Sequence, residues 1–203
     1  MKLFRVYGIS GAGSLIVEYL LALADVKYEL ICLDKAERDA EPFRRISPFG
    51  QIPALETPEG DTMFESLAIT MYLLERFPDT GLIAPQGHPE RMRCMQWLSL
   101  LSSSLYSANL RFYYPDRFGD EDSVKQKAQT DRRDIYTMVD AQSAPFLAGE
   151  KMSAADLYLY MLLMWDETLD DELAARPRMR QIVEKIGALP AVKDVMARQP
   201  QVL

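Results

Sequence analysis

The segment SPFGQIPAL, residues 47–55, is an apolar run interrupted by Gln51 and by Pro53. Proline has no amide hydrogen and cannot donate to a sheet ladder, so a strand that tolerates Pro53 lies at a sheet edge or begins just after it. Either arrangement leaves backbone hydrogen-bond groups near Pro53 unpaired. The sequence therefore first suggests a binding role, in which the backbone near Pro53 forms hydrogen bonds to a group outside its own sheet.

Other chemistries have few residues to work with. Cys32, Cys94 and His88 are the only cysteines and the only histidine of the chain. The two cysteines lie in strand-like and helix-like surroundings, and we interpret them as reduced structural thiols. A single histidine leaves almost nothing from which to build a histidine-based zinc site or a Ser-His-Asp triad, and we expect no metal.

The composition describes a folded chain without a nucleic-acid footprint. With 203 residues, 48% of them apolar, the chain can form one large domain or two small ones. The net charge of −7 and the absence of a basic block argue against binding to nucleic acid. The N-terminal MKLFRVYG runs straight into structured sequence, without the features of a signal peptide. We expect a cytoplasmic protein with no membrane association.

The first part of the chain alternates strands with helices. Because the run LIVEYLLALA is apolar nearly all round, its helix should be covered on more than one side. The predicted elements are strands at 2–7 and 27–33, a helix at 15–24, an irregular or helical stretch at 34–45, a hairpin that turns at Pro58 and Gly60, and a helix at 65–77.

From His88 onward the strand pattern disappears. Apolar spacing predicts helices over about 89–114, 122–140 and 153–165. Ser153 and Asp156 occupy the positions of a capping box, with Asp in place of the usual Glu, and the nearly all-apolar helix after them belongs in the middle of a bundle. The predicted domains are 1–78 and 89–203, joined by a linker at 79–88 that is rich in proline and glycine.

Two motifs in this order resemble the cytosolic glutathione transferase family. SPFGQIPAL is similar to that family's N-P-x-G-Q-V-P-A-L, with Ser47 in place of Asn, and ESLAI matches its E-S-x-A-I at the start of the third helix. The capping box SAAD follows in an all-helical second half. The likeness spans essentially the whole chain, and the joint spacing makes it specific.

The resemblance implies a thioredoxin-like N-terminal domain (βαβαββα), a helical-bundle C-terminal domain, a homodimer, and glutathione as co-substrate on the first domain. It also implies a cis peptide bond at Pro53, with the backbone N–H and C=O of Ile52 binding the cysteinyl part of glutathione as an added strand. Gln51 would face this ligand. The alternative is a trans Pro53 in an ordinary turn.

Further glutathione contacts are implied at three positions. Ser66 would present its hydroxyl and N–H to the γ-glutamyl carboxylate at a helix N-terminus, and Glu65 would take the ammonium group. Lys35 would hold the glycyl carboxylate, with Arg38 and Arg44 as competitors for that role. The alternatives are a simple capping pair for Glu65 and Ser66, and a solvated surface for the three cations.

A glutathione transferase must favour the thiolate, and its families use a Tyr, Ser or Cys next to the first strand and first helix. Our order of candidates in VYGISGAGSLIVE is Ser10, then Ser14, then Tyr7. Gly13 stands where the beta class has its cysteine, which puts mixed-disulfide chemistry in doubt. The alternative is a turn whose backbone N–H groups act alone.

Two remaining expectations concern the electrophile. Ser103, Tyr106, Asn109 and Tyr113 are the candidates for its pocket, although aromatic residues at helical spacing often belong to a core. The segment GAGSLIVE lacks both arginines of the zeta-class motif S-S-C-S-W-R-V-R, so we do not expect maleylacetoacetate isomerisation.

Three functional hypotheses follow from the resemblance. The first is a glutathione transferase acting on a small hydrophobic electrophile. The second is a non-catalytic member of the fold that binds glutathione or a protein. The third is a glutathione-dependent disulfide reductase or peroxidase.

Overall fold

The computed structural model of the chain describes residues 2–142 and 144–199. These residues form two compact units. One contains the described residues up to Gly81 together with those from Ala188 to Gln199, and the other contains the described residues of Leu82–Gly187. The domain boundaries expected from the sequence stay a prediction, and residues 143 and 200–203 of the predicted second domain lie outside the described residues. Residues 188–199, however, belong to the first unit and not to the helical one.

The first unit is built around a four-stranded mixed sheet, and the predicted βαβαββα order is confirmed. The elements are β1 (Phe4–Gly8), α1 (Leu15–Leu23), β2 (Tyr28–Cys32), α2 (Lys35–Asp39), α3 (Glu41–Arg44), β3 (Ala54–Glu56), β4 (Thr62–Phe64) and α4 (Ser66–Arg76). Strands β1 and β2 are parallel, β3 is antiparallel to β1, and β4 is antiparallel to β3, which gives the order β2-β1-β3-β4.

The proline of the opening motif lies directly before an interior strand. Strand β3 begins at Ala54, one residue after Pro53, and is paired on both sides. Of the two arrangements that the sequence allowed, the strand that starts after the proline is the one observed. The backbone before Pro53 is therefore outside the sheet, where the sheet does not use its hydrogen-bond groups.

The second unit is all-helical and is organised around one buried helix. All ten residues of α8 (Ala154–Leu163) are buried, which confirms its predicted place inside the bundle. The other helices are α5 (Pro89–Leu100), α6 (Tyr106–Tyr113), α7 (Glu121–Asp140), α9 (Leu169–Ala175) and α10 (Pro177–Gly187). None of the described helices combines the length and the apolar composition that a bilayer crossing requires.

The single helix predicted over 89–114 is interrupted by a π-helical segment, Leu101–Leu105. Three consecutive serines lie in it, and the hydroxyls of Ser102 and Ser103 both donate to the Ser99 carbonyl oxygen, at 3.1 and 2.8 Å. Serine hydroxyls that bind back to the preceding turn compete with the helical hydrogen-bond ladder. The apolar spacing detects the helix but not this local change of winding.

The last helix, α11 (Pro190–Ala197), packs on α1. The hydroxyl of Tyr19 lies 3.0 Å from the Met196 sulfur across this contact. Helix α1 also packs on α4, and every residue from Leu15 to Leu21 is buried. The prediction that this helix is covered on more than one side is confirmed.

Candidate functional site

The strand register brings the predicted site segments of the first unit to one end of the sheet. Gly8 pairs with Cys32, Tyr7 pairs with Ala54, and Ala54 pairs with Phe64. The same end therefore carries the exits of β1, β2 and β4 and the entry of β3. The four segments found there are the turn at 9–14, the start of α2, the backbone at 51–53 and the start of α4.

The backbone before Pro53 is held in place by its own loop. The hydroxyl of Ser47, 2% exposed, donates to the Gln51 carbonyl oxygen at 2.8 Å. Gly50 has a φ of +63°, and a Cβ at this position would lie 2.7 Å from the Arg38 carbonyl oxygen, so the turn requires glycine. At the position where the family motif has Asn, Ser47 therefore stabilises the loop through its hydrogen bond to Gln51.

The held loop presents a main-chain donor and acceptor that the protein does not use. The Ile52–Pro53 peptide bond is cis, as the resemblance implied. Across residues 2–142 and 144–199, neither the N–H nor the C=O of Ile52 has a hydrogen-bond partner. Gln51 next to it is exposed. An extended peptide could form two backbone hydrogen bonds here.

The start of α4 lies level with this backbone and has an unusual geometry. Glu65 has φ +70° and ψ 112°, and its exposed side chain makes no capping hydrogen bond to the helix. Positive φ in a non-glycine residue costs about 1 kcal/mol or more and is concentrated at binding sites. The capping-pair interpretation does not fit Glu65, and the first turn of α4, beginning at Ser66, is suited to attract a carboxylate.

The three candidate cations differ in how they are used. Arg44 donates to the backbone and carboxylate oxygens of Asp39 and to the Pro48 carbonyl oxygen, which commits it to the loop. Arg38 donates to the Asp34 carbonyl oxygen at 3.3 Å. Among the described residues, Lys35 pairs only with an exposed carboxylate, that of Asp39 at 2.6 Å, and its side chain is 82% exposed. Lys35 is therefore the cation most easily recruited by a ligand.

The three candidate hydroxyls of the thiol turn also differ. Ser14 is fully buried and donates to the Ile9 carbonyl oxygen at 3.2 Å. Tyr7 donates to Glu56 Oε2 at 2.9 Å, and burial together with this hydrogen bond raises the pKa of its phenol. Ser10 is half-buried and lies in the turn itself. Of the three hydroxyls, that of Ser14 is the least accessible to a ligand.

Sequence reasoning missed the partner of Ser10. The Ser10 hydroxyl donates to Gln199 Oε1 at 2.6 Å, and the Gly11 N–H donates to the same oxygen at 3.0 Å. Gln199 lies just beyond α11, and 189 residues separate it from Ser10. No local pattern could have indicated this contact.

A buried carboxyl group lies on the other side of Gln199. Glu18 is 1% exposed, its Oε2 accepts from the Tyr28 hydroxyl at 3.0 Å, and Arg198 in turn donates to that hydroxyl at 2.9 Å. Burial raises the pKa of the Glu18 carboxyl, and the hydrogen bond from Tyr28 only partly offsets this. In the sequence, Glu18 is the only charged residue in the otherwise apolar run LIVEYLLALA, and this pattern could have indicated a buried carboxyl group.

Replacing Glu18 by glutamine should stabilise the protein near neutral pH. Folding raises the pKa of Glu18, so the folded state holds the proton of this carboxyl more tightly than the unfolded state does. The stability that this supplies is fully present below the pKa of the unfolded state and is lost as the pH rises through the pKa of the folded state. We expect Glu18→Gln to match wild type at pH about 4 and to exceed it by about 1 kcal/mol in free energy of unfolding at pH about 7. Urea denaturation at both pH values measures this.

Glu75→Gln, on the exposed side of α4, is the matched control and should follow the wild-type pH curve. If Glu18→Gln also runs parallel to wild type at every pH, the Glu18 carboxylate is not destabilised by its burial.

The residues predicted to line the electrophile pocket lie in the second unit and have unequal roles. Asn109 is 1% exposed and donates to the Leu162 carbonyl oxygen at 3.1 Å, so it joins α6 to α8 and we remove it from the pocket. The Tyr113 hydroxyl donates to the Trp165 carbonyl oxygen. Tyr106 is half-buried with its ring edge-on to Trp165 at 5.2 Å, and Ser103 is exposed. Ser103, Tyr106 and Tyr113 remain candidates.

Within the described residues, no three His, Cys, Asp or Glu side chains come together as a metal site. The candidate site is built from backbone groups, hydroxyls and single charges.

Comparison with known proteins gives consistent matches over the whole chain. Residues 3–75 match the family model of the glutathione S-transferase N-terminal domain, and residues 111–199 match that of the C-terminal domain. The chain is 26% identical over 203 residues to the GST-like protein YncG of Escherichia coli K12, covering 97% of this chain and 98% of the relative. It is 25% identical over 202 residues to glutathione S-transferase GstA of Escherichia coli O157:H7, covering 98% of each.

A solved structure agrees with the sequence matches. The structure of a sphingomonad glutathione S-transferase complexed with glutathione is 28% identical, with a TM-score of 0.82 over 95% of this chain and 97% of the other.

Proposed function

The chain belongs to the glutathione S-transferase family, with a thioredoxin-like N-terminal domain and a helical C-terminal domain, and from this premise we propose that it binds glutathione and transfers it to a small hydrophobic electrophile. The observation that carries the proposal is the unused backbone pair of Ile52, at the sheet end where the thiol turn and α4 also begin.

In this proposal glutathione lies along the 51–53 backbone as a short added strand. Its cysteinyl residue exchanges two hydrogen bonds with Ile52. Its γ-glutamyl carboxylate meets the first turn of α4 at Ser66, its ammonium group meets Glu65, and its glycyl carboxylate meets Lys35. Each group of the tripeptide then has a partner of matching charge or hydrogen-bonding type.

The reaction needs glutathione as the thiolate, because a thiol of ordinary pKa is mostly protonated at neutral pH. The hydroxyl of Ser10, the N–H of Gly11 and the N-terminus of α1 are the donors that favour the anion. The thiolate sulfur forms a bond to the electrophilic carbon with its own electron pair, and the leaving group departs with the pair of the broken bond. Holding both reactants together supplies much of the remaining rate gain.

Removing the Ser10 hydroxyl should slow turnover. We expect Ser10→Ala to lower kcat/KM for an aryl halide about tenfold, the size of one hydrogen bond to a charged group. Ser14→Ala should act mainly on stability, because that hydroxyl is buried and already bound to Ile9. Steady-state kinetics beside thermal melting separates the two effects. A larger rate loss in Ser14→Ala would transfer the role to Ser14.

Two observations favour a second candidate, a glutathione-binding protein without turnover. The proton of Ser10 is already donated to Gln199, and the turn has no cysteine. Retention on immobilised glutathione without turnover of an aryl halide would select this candidate. Turnover of hydroxyethyl disulfide alone would select the disulfide reductase or peroxidase.

The remaining parts of the proposal concern assembly and surroundings. We include a homodimer, in which a partner could cover Phe49, whose side chain is 75% exposed. We also include a cytoplasmic location, with no nucleic-acid or membrane partner and no metal.

A further inference from the structure

Gln199 places its carbonyl oxygen where two donors of the thiol turn converge. Ser10 Oγ is 2.6 Å from Gln199 Oε1, and the Gly11 nitrogen is 3.0 Å from it. A hydroxyl donor and a backbone N–H that meet at one acceptor form the arrangement that holds an anion in oxyanion-type sites. The protein's own side chain supplies the acceptor here.

The orientation of the Gln199 carboxamide is determined by its surroundings. Its Nε2 faces the Val195 carbonyl oxygen at 3.3 Å and Glu18 Oε2 at 3.5 Å. If oxygen and nitrogen were exchanged, the nitrogen would face the Gly11 N–H and the oxygen would face two acceptors. Oε1 therefore points at Ser10, and the hydroxyl donates to it.

A serine hydroxyl has a single proton, so Ser10 cannot donate to Gln199 and to a sulfur at once. The Gly11 N–H likewise has one hydrogen and cannot make short hydrogen bonds to Gln199 and to a sulfur at once. We propose that Gln199 is an internal ligand of the thiol turn, whose Oε1 occupies the acceptor position of the glutathione sulfur and must leave when the thiolate binds. This proposal rests on the proposed function, because it takes Ser10 and Gly11 as the thiolate donors.

The released carboxamide has a second place to bind. Glu18 Oε1 is buried and has no hydrogen-bond donor within the described residues, whereas the existing contact from Nε2 to Oε2 is long, at 3.5 Å. A buried acceptor without a donor is costly, so a turn of the carboxamide towards Glu18 would recover part of what is lost at Ser10. Tyr28 and Arg198 hold the rest of this cluster.

If Gln199 occupies the site, only the fraction of protein with Gln199 displaced can bind glutathione. The apparent affinity for glutathione is then reduced by that fraction. We expect Gln199→Met, which keeps the length of the side chain and removes its acceptor, to bind glutathione about fivefold more tightly in calorimetry. The bound thiol should also titrate at lower pH, measured by thiolate absorbance. Gln181→Met, at an exposed position of α10, is the matched control and should equal wild type.

Two further measurements separate this role from a structural one. In the Ser10→Ala background the gain from Gln199→Met should shrink, because the two changes then act on one hydrogen bond. Without glutathione, the Gly11 amide of Gln199→Met should exchange with solvent hydrogen faster than in wild type. A purely structural Gln199 would give the opposite result for affinity, since its loss would loosen the turn.

The outcomes distinguish this proposal from the one on which it rests. If wild type binds glutathione and Gln199→Met binds it equally or less tightly, the internal-ligand role is overturned and the proposed function stands. If neither protein binds glutathione, both are overturned. Unchanged exchange at Gly11 would overturn the contact itself.

Discussion

Asp156→Ala should lower the free energy of unfolding by about 3 to 4 kcal/mol, the largest stability effect we expect in this chain. The side chain is 0% exposed, Oδ1 accepts from the Leu147 N–H, and Oδ2 accepts from the N–H and the hydroxyl of Ser153, each at 2.8 Å. Alanine would leave three buried donors without a partner. Urea denaturation followed by far-ultraviolet circular dichroism measures the change.

The position of Asp156 explains why the loss should be so large. It caps α8, the fully buried helix of the second unit, and at the same time fixes the loop at Leu147. Asp122→Ala, at an exposed first-turn acid of α7, is the matched control and should cost no more than about 0.5 kcal/mol. Asp156→Asn, which keeps some of the acceptors, should fall between the two. A loss below about 1 kcal/mol in Asp156→Ala would mean that water replaces the carboxylate.

The parts of the fold that the sequence predicts are those encoded by nearby residues. The capping box of Ser153 and Asp156 spans four residues, and the apolar run from Leu15 gives α1 its burial. Pro53 marks the start of β3 because a missing N–H has an immediate geometric consequence. Each signal acts within a turn or a strand, so one sequence was enough to interpret it.

The contacts that the sequence does not predict join segments that are far apart. The pairing of Ser10 with Gln199 and the packing of α11 on α1 depend on where the chain end returns to the first unit. Periodicity assigned Asn109 to a helix but could not tell which side faces α8, because a polar residue whose side-chain amide donates to a backbone carbonyl can be buried. Most of the glutathione-site candidates came from motifs, and the thiol turn remained ambiguous because three hydroxyls lie close together in sequence.

Burial separates Ser14 from Ser10. Ser14 lies under the turn, where a Cβ on Gly8 would come within 2.4 Å of its oxygen. The close approach of β1 to α1 therefore requires glycine at position 8 and fixes Ser14 inward. Ser10, two residues beyond Gly8, is left as the hydroxyl at the surface of the turn. The hydroxyl of Ser10 and the N–H of Gly11 both donate to Gln199 Oε1, so the turn is already organised to hold an acceptor before a ligand binds.

Ile52→Pro should weaken glutathione binding about 30- to 150-fold, the largest functional effect we expect. Proline removes the Ile52 N–H, and its ring changes the direction in which the neighbouring carbonyl can be approached. Two backbone hydrogen bonds to the ligand, each of about 1 to 1.5 kcal/mol, would be lost together. Calorimetry with glutathione and retention on immobilised glutathione both measure the change.

Ile52→Ala is the matched control, because it changes the side chain at the same position and keeps the N–H and C=O. We expect it to bind glutathione within a few-fold of wild type, while thermal melting checks that both variants are folded. Equal losses in the two variants would assign the effect to the isoleucine side chain. Full binding by a folded Ile52→Pro would show that the tripeptide does not pair with this backbone, and the assignment of the site to this end of the sheet would then be wrong.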